Sequence, residues 1–385
     1  MAKRILILAM SFPPQAVGTG SYAYALSRGL TQRGFDVLVL APEADGAAAF
    51  DARAEVSVER LNASSFIPLR YMQVRAHLQR AIDRFRPDCV WATNGMATRV
   101  AGLLNCWERI PLIASMRGSD VTVRLSGRGV GAQFERIPQR RAYRHAAAIA
   151  AVSRFVRASA VAQGVDERAI FVHPPAFDAG LLQHYQFDEE TFFARYPALR
   201  GKRIVLSVAR LVTQKRVDRA LRASGRLLKE FPDMVHAIVG NGPERAELER
   251  LASELGWGDR AVFVGVLPPL SHGLFDFYSA AEVFLLPSVR EGMGNVYLEA
   301  GAFALPCLAA AEGGVPECID DGSSGLLARA DDVEDMSAKL RYLLKDPQRA
   351  REMGTAAREK IEREYGMEAL VQRGVEALEQ VMHRG

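Results

Sequence analysis

The chain has 385 residues, enough for two ordinary cores, and its 49% hydrophobic and 24% charged content excludes a disordered or collagen-like protein. With 49 Lys and Arg against 45 Asp and Glu the net charge is only +4, and the pI of about 8.9 argues weakly for anionic partners and makes no case for nucleic acid. The four cysteines, Cys89, Cys106, Cys307 and Cys318, form no C-x-x-C pair, which suits a reducing cytosol better than a disulfide scaffold or a zinc site.

The N-terminus, MAKRILILAMSFPP, has a basic start and an apolar run, but the run is short for a signal peptide and lacks a small-residue cleavage site. It reads as a first strand, Ile5 to Met10, buried on both faces as in a parallel sheet. A loop with Pro13, Pro14, Gly18 and Gly20 follows, then a helix over Tyr22 to Arg33 stopped by Gly34, then a strand over Val37 to Leu40. This is the opening βαβ unit of a doubly wound sheet. An amphipathic helix is predicted over Tyr71 to Phe85, with strands at Cys89 to Ala92, Leu112 to Ala114 and Ala147 to Val152, and Ser153 as the cap of a further helix. Nowhere is there an apolar span of transmembrane length, so any membrane contact is expected to be peripheral.

After Pro174-Pro175 the pattern loosens, and 178–202 reads as a linker. Lys202 to Ala209 then echoes Lys3 to Ala9, as expected if a second sheet begins by the same device. Strands follow at Val235 to Val239, Ala261 to Val264, Val283 to Leu286, Pro306 to Leu308 and Gly325 to Leu327, with a helix over Pro243 to Leu255. The chain therefore divides into domains at 1–178 and 179–366, with a cleft expected between two α/β layers, where ligands usually bind. Beyond Val333 it is helical and charge-rich. The last helix, over Met367 to Met382, has nothing after it to pack under and is expected to cross back to the first domain.

The most informative stretch is Pro287 to Gly301, PSVREGMGNVYLEAG, a strand end, a glycine loop and a helix start. On one continuous helix Glu291 and Glu299 would stand about 12 Å apart on different faces. A break at Gly292-Met293-Gly294-Asn295 lets both carboxylates face one long polar ligand, with the free N–H groups of the helix start aimed at its anionic part, or the stretch is a plain strand-loop-helix junction with a surface acid at one end and a core-rim acid at the other. Arg210 and Lys215, five residues apart after the second domain's first strand, suit a diphosphate, one as a fork and one as a point charge. A solvated basic loop is the competing reading. Val239-Gly240-Asn-Gly242 permits close backbone approach to a ligand, or is a tight turn feeding a helix. The chain has no Asp-x-Asp pair to hold a divalent ion on a diphosphate, so no metal ligands are expected; the cations and a helix N-terminus would carry that charge.

In these motifs the chain resembles the retaining GT-B glycosyltransferases of the "glycosyl transferases group 1" family, also numbered family 4. Glu291 to Glu299 matches the Glu-x7-Glu motif, and Arg210 and Lys215 match the strand-Arg-x4-Lys element. Further similarity lies in Val239 to Arg245, Val262 to Gly265, Gly313 to Glu317 and Asp321 to Leu327. The resemblance implies a GT-B fold of two Rossmann-like domains and metal-independent, retaining transfer of a sugar from a nucleoside diphosphate, UDP or GDP first, to a glycan, lipid-linked or small-molecule hydroxyl. It implies that Arg210 and Lys215 neutralise the diphosphate, that Glu291 and the amides of Gly292, Met293, Gly294, Asn295 and Val296 hold the donor sugar, and that Glu299 binds the ribose. Val266 and Leu267 would face the base, and Gly18 and Gly20 would approach the phosphates and the acceptor. No cofactor is implied beyond the nucleotide-sugar co-substrate.

Two departures bear on specificity. Arg117-Gly-Ser-Asp120 stands where members often carry His-Gly-Ser-Asp, so Arg117 either forks an acidic group on donor or acceptor, or pairs with Asp120 or solvent. His173-Pro-Pro-Ala-Phe-Asp178 replaces the family's usual Pro-Asn-Gly-Val-Asp at the expected hinge. Seven arginines between Arg117 and Arg144 read either as a patch for a lipid-linked or anionic acceptor at the inner membrane face or as a solvated helical face. Two other functions compete. A dinucleotide-dependent oxidoreductase is suggested by Gly18-x-Gly20-x-x-Ala23 with Glu43, but Ser11 to Val17 intervene before the glycines. A non-catalytic nucleotide-sugar-binding protein of the same fold would bind donor without transferring.

Overall fold

The computed structural model describes residues 2–14, 18–118 and 130–383, the side chains of 130–133 excepted. The chain forms two compact units, Met1–Ala176 with Met367–Gly385, and Phe177–Gly366.

In the first unit seven strands, β1 (Arg4–Leu8), β2 (Asp36–Pro42), β3 (Ser57–Leu61), β4 (Cys89–Ala92), β5 (Leu112–Met116), β6 (Ala148–Ala151) and β7 (Ile170–Val172), pair in the order β3-β2-β1-β4-β5-β6-β7. Every pairing is parallel. Ile5 to Leu8 are fully buried because helices cover both faces. On one face Ile5, Ile7 and Trp91 meet Leu26 and Leu30 of the Thr19–Gln32 helix and Leu370, Ala377 and Leu378 of the Met367–Met382 helix. On the other, Leu6, Leu8 and Val90 meet the Ile67–Phe85, Gly95–Ala101 and Val130–His145 helices. The C-terminal helix thus belongs to the first unit.

The second unit repeats the device. Strands β8 (Arg203–Val208), β9 (Met234–Val239), β10 (Ala261–Gly265), β11 (Val283–Leu286), β12 (Cys307–Ala310) and β13 (Gly325–Ala328) pair in parallel in the order β10-β9-β8-β11-β12-β13. In both sheets the order reverses beside the first strand, between β1 and β4 and between β8 and β11. In open α/β sheets such a switch point is where ligands usually bind.

Several expectations are corrected. The first helix starts at Thr19, not Tyr22: Gly18 ends the loop at φ 59°, and buried Gly20 sits in the first turn. Strands β3 and β7 escape sequence reading because β3 is mixed polar and apolar and β7 has three residues. Residues 178–202 are no free linker. They contain the Glu189–Arg195 helix, whose buried Phe192 packs edge-on against Phe277 at 5.1 Å between ring centroids. Phe177 N–H donates to Tyr365 O at 2.9 Å, which ties the start of that stretch to the second unit.

Each unit buries one histidine completely, His173 in the first and His236 in the second. Burial pushes both down to about 3, with the Arg117 cation adding to the effect at His173. The native chain keeps them neutral, whereas the unfolded chain protonates them below about pH 6.5. Their contribution to stability is therefore complete above that pH and is lost as pH falls toward 3, by up to about 1.4 kcal/mol per pH unit in each unit. Melting temperatures should fall steadily from about pH 6.5 to about pH 5, before most carboxylates titrate. A His236→Gln variant should flatten this branch for the second unit. Equal melting at both pH values in the parent chain would contradict it.

Candidate active site

Two loops leave the switch point of the second unit. One leaves β8 and carries Arg210 and Lys215; the other leaves β11 and runs from Pro287 to Gly294. They are laced together: Val289 N–H donates to Gln214 O at 2.9 Å, and Gln214 Nε2 donates to Arg290 O at 3.1 Å. This brings Lys215 Nζ onto the Glu291 carboxylate, in an ion pair whose side chains are 22% and 14% exposed. A pair so shielded is held harder than a surface one, and Lys215 presents its remaining protons from a fixed position. Arg210 is exposed and, among the described residues, has no ion-pair partner.

The β11 loop is anchored from beneath. Tyr297 O–H donates to Leu286 O at 2.6 Å, and its oxygen lies 2.7 Å from Ser288 Oγ. Gly294, at φ 94°, turns the chain into the Asn295–Ala302 helix, and a Cβ there would meet the Tyr297 ring at 2.7 Å. The break between Glu291 and Glu299 inferred from sequence is therefore present. No side chain caps this helix and its first turn has no acid, so the amides at Asn295 and Val296 present an open positive end. Gly314 N–H donates to Glu291 O at 2.9 Å, which sets the backbone at Glu291 from the loop after β12. Gly292 and Met293 are buried.

Glu299, half-buried one turn into that helix, accepts a hydrogen bond from Tyr278 O–H at 2.8 Å. Burial raises its pKa above the usual carboxylate range, against the opposing pull of that hydrogen bond. Tyr278 is raised well above its ordinary value by burial and by the Glu299 charge. Gly240 follows β9 and donates from N–H to Gly265 O at 2.7 Å. Val266 stands 70% exposed after β10, with Leu267 half-buried beside it.

In the first unit Gly18 and Gly20 occupy the uncapped start of the Thr19–Gln32 helix. Arg117, just after β5, sits over Tyr22, its guanidinium carbon 3.2 Å from the ring centroid, and donates to Thr93 O at 3.4 Å and His173 O at 3.3 Å. Tyr22 O–H in turn bonds His173 Nδ1 at 2.9 Å, while His173 Nε2 faces Leu370 O at 3.1 Å. Because Leu370 O can only accept, the proton sits on Nε2 and Tyr22 donates to Nδ1. Sequence reading did not connect His173 to Arg117; only their joint departure from the family pattern marked them. Asp120, proposed to partner Arg117, lies outside the described residues, as do Arg124 and Arg128. Among the described residues no cluster of His, Cys, Asp or Glu has the makings of a metal site.

Against this geometry the comparisons are decisive. A family model described as "Glycosyl transferases group 1" matches residues 188–360, and one described as "Glycosyltransferase Family 4" matches residues 17–181. A GDP-mannose-dependent alpha-(1-6)-phosphatidylinositol monomannoside mannosyltransferase of Mycolicibacterium smegmatis is 31% identical over 92% of this chain and 92% of its own. The chain belongs to the group 1 glycosyltransferases. The namesake mannosyltransferase of Mycobacterium tuberculosis is 26% identical over 95% of this chain and 96% of its own. Among solved structures, Anabaena HepE in complex with UDP-glucose superposes with a TM-score of 0.79 at 20% identity, covering 98% of this chain and 99% of its own. At that identity the likeness establishes the GT-B fold alone. This glycosyltransferase takes a nucleotide sugar as co-substrate, as the family does.

Proposed function

We propose that the glycosyltransferase moves a hexosyl group, with retention of anomeric configuration and without help from a metal ion, from a nucleoside-diphosphate sugar held in the second unit to an acceptor hydroxyl. The observation that carries this reading is the Lys215–Glu291 ion pair at the β8–β11 switch point, on the loop that leads into an uncapped helix N-terminus. Arg210 and Lys215 meet the diphosphate oxygens, and the amides from Gly292 to Val296 complete the positive wall. Glu291, already paired with Lys215, orients that lysine and faces the sugar hydroxyls. Glu299, fixed by Tyr278, takes the ribose hydroxyls, with Val266 and Leu267 at the base and Gly240 allowing close approach.

The bond from C1 to the diphosphate breaks with its electron pair going to the departing oxygen, and the positive wall lowers the energy of that charge as it develops. The acceptor oxygen attacks C1 from the same face and passes its proton to the leaving phosphate. No protein nucleophile is needed, and Glu291 is a poor candidate for one because its charge is engaged by Lys215. The first unit serves the acceptor, with Gly18, Gly20 and Arg117 at its carboxyl edge. GDP-mannose is the donor we favour, and an inositol-bearing glycolipid the acceptor, because relatives similar over more than nine-tenths of the chain carry those substrates in their names.

Thermal-shift titration with UDP, GDP, ADP and their sugar conjugates tests the donor side. A ligand at about 100 times its Kd adds about 2.7 kcal/mol to the state that binds it, a rise of several degrees. GDP and GDP-mannose should give the largest rise, and no shift with any nucleotide would sink the reading. Turnover should persist in excess EDTA, and the product should keep the donor's anomeric configuration by NMR.

A further inference from the structure

The Pro347–Tyr365 helix closes the second unit, and two of its buried polar side chains grip the loop that follows β12. Tyr365 is only 6% exposed, and its hydroxyl donates to Glu317 O at 2.6 Å. Lys360, buried as well, sets its ammonium on Asp320 Oδ1 at 2.5 Å. The helix that carries both is tightly packed: a Cβ on Gly354 would stand 1.9 Å from Ala304 O. The backbone of Tyr365 is fixed in turn, because its carbonyl accepts from Phe177 N–H at 2.9 Å. A hydroxyl on a ring held in this way moves only if the helix moves.

The same β12 loop touches the stretch that carries Glu291. Gly314 N–H donates to Glu291 O at 2.9 Å, and Gly313, at φ 69°, lies so near that a Cβ would stand 2.6 Å from that oxygen. Further along, the buried Cys318 thiol faces Met293 O at 3.8 Å. Between these contacts runs one turn of 3-10 helix, Val315–Glu317, closed by Glu317 N–H on Gly314 O at 3.1 Å and seated on fully buried Val315. The carbonyl held by Tyr365 and the amide that sets Glu291 therefore belong to one tight turn. Such a turn passes a shift at one end on to the other.

We propose, resting on the donor reading above, that Tyr365 is a positioning residue of the donor site: its hydroxyl holds the β12 loop against Glu291 and so fixes the carboxylate that holds the Lys215 ammonium. The ring touches no substrate. Its effect passes from Tyr365 to Glu317, through the turn to Gly314, and from there to Glu291 and Lys215. Without the hydroxyl, Glu317 O loses that donor and the turn is free to relax away from Glu291. Lys215 then offers its charge to the diphosphate from a less settled position, which weakens a preorganised electrostatic contact. A tyrosine that only filled the core would lower stability when altered and leave nucleotide binding as it was.

A double-mutant cycle between Tyr365→Phe and Lys215→Ala in the full chain tests it, read by calorimetric titration with the nucleoside diphosphate that most raises the parent's melting temperature, GDP being expected. Tyr365→Phe keeps the buried ring and should melt within a few degrees of the parent. It should weaken GDP binding about fivefold in the parent and less than about twofold in the Lys215→Ala background, because two residues of one network do not act additively. Equal weakening in both backgrounds overturns the proposal. So does a Tyr365→Phe variant that melts lower yet binds GDP as the parent does, since the hydroxyl would then be a structural bond alone. Lys360→Met loosens the other grip while keeping an apolar stem, and should show the same dependence on Lys215; if Tyr365→Phe fails to fold, additivity in the Lys360→Met cycle overturns the proposal in its place. A parent that binds no nucleoside diphosphate, or whose affinity survives Lys215→Ala unchanged, removes the donor reading and the role of Tyr365 together. Weak binding by Lys215→Ala beside parental binding by Tyr365→Phe removes the role of Tyr365 alone.

Discussion

Lys215→Ala should lower turnover by about 10²- to 10³-fold, the usual cost of removing one preorganised group that stabilises developing charge. The lysine stands at the end of the β8 loop, and its ammonium is held on Glu291 of the β11 loop. Its removal takes a positive charge from the diphosphate and also leaves a largely shielded carboxylate facing the same space. The second effect opposes binding of a polyanion, so affinity for the nucleoside diphosphate should weaken as well. Stability should suffer by about 1–3 kcal/mol, from the partly buried Glu291 charge left unpaired. Glu291→Gln combined with Lys215→Ala should recover much of that stability and none of the turnover. Steady-state kinetics with a melting curve for each variant separates the two effects. Turnover within threefold of the parent in Lys215→Ala would remove the leaving-group assignment, whatever happened to stability.

Gly240→Ala is the second large effect, and here a single methyl group acts on the backbone. Gly240 sits at φ 137°, and a Cβ built on it would lie 1.8 Å from the carbonyl oxygen of Ala209. An alanine cannot keep that position, so the loop leaving β8 must move. Two bonds cross between these loops, Leu211 N–H to Asn241 O at 3.0 Å and Glu244 N–H to Leu211 O at 3.2 Å, and both would be disturbed. The conformational strain alone costs about 1–3 kcal/mol, and the displaced backbone adds to it. Because Arg210 is the next residue after Ala209, a displacement of about 1 Å there should cost roughly 100-fold in turnover even where the protein stays folded. Melting well below the parent together with weakened nucleotide binding is the expected result. A variant that melts and turns over like the parent would mean that the Gly240 and Ala209 backbones are not in close contact.

Most strands of both sheets, β3 and β7 excepted, were legible because a parallel strand buried on both faces shows as an unbroken apolar run, as in Ile5 to Leu8 and Val283 to Leu286. Elements whose stability comes from neighbours were not. The three residues of β7 carry too little pattern, and the Glu189–Arg195 helix is fixed by the packing of Phe192 on Phe277, across a long stretch of chain. Arg117 was legible as a departure from the family motif but not as a partner of Tyr22 and His173. Nothing local signals that a histidine 56 residues further on will offer its carbonyl to that arginine.

By itself, the sequence determined the α/β class, the repeat of one sheet device in two units, the return of the last helix to the first unit and the loops that carry Arg210, Lys215, Glu291 and Glu299. Each of these depends on periodicity, on glycine and proline at strand ends, or on motif spacing, all of which are properties of short stretches. Only the tertiary structure decided that Lys215 and Glu291, 76 residues apart, form one ion pair, that Glu299 is steadied by Tyr278, and that the Tyr365 hydroxyl reaches Glu317 O. The reason is physical: parallel sheet order brings together the loops after β8 and β11, and packing fixes which side chains then meet, so such contacts exist only once the sheet and its helices have formed.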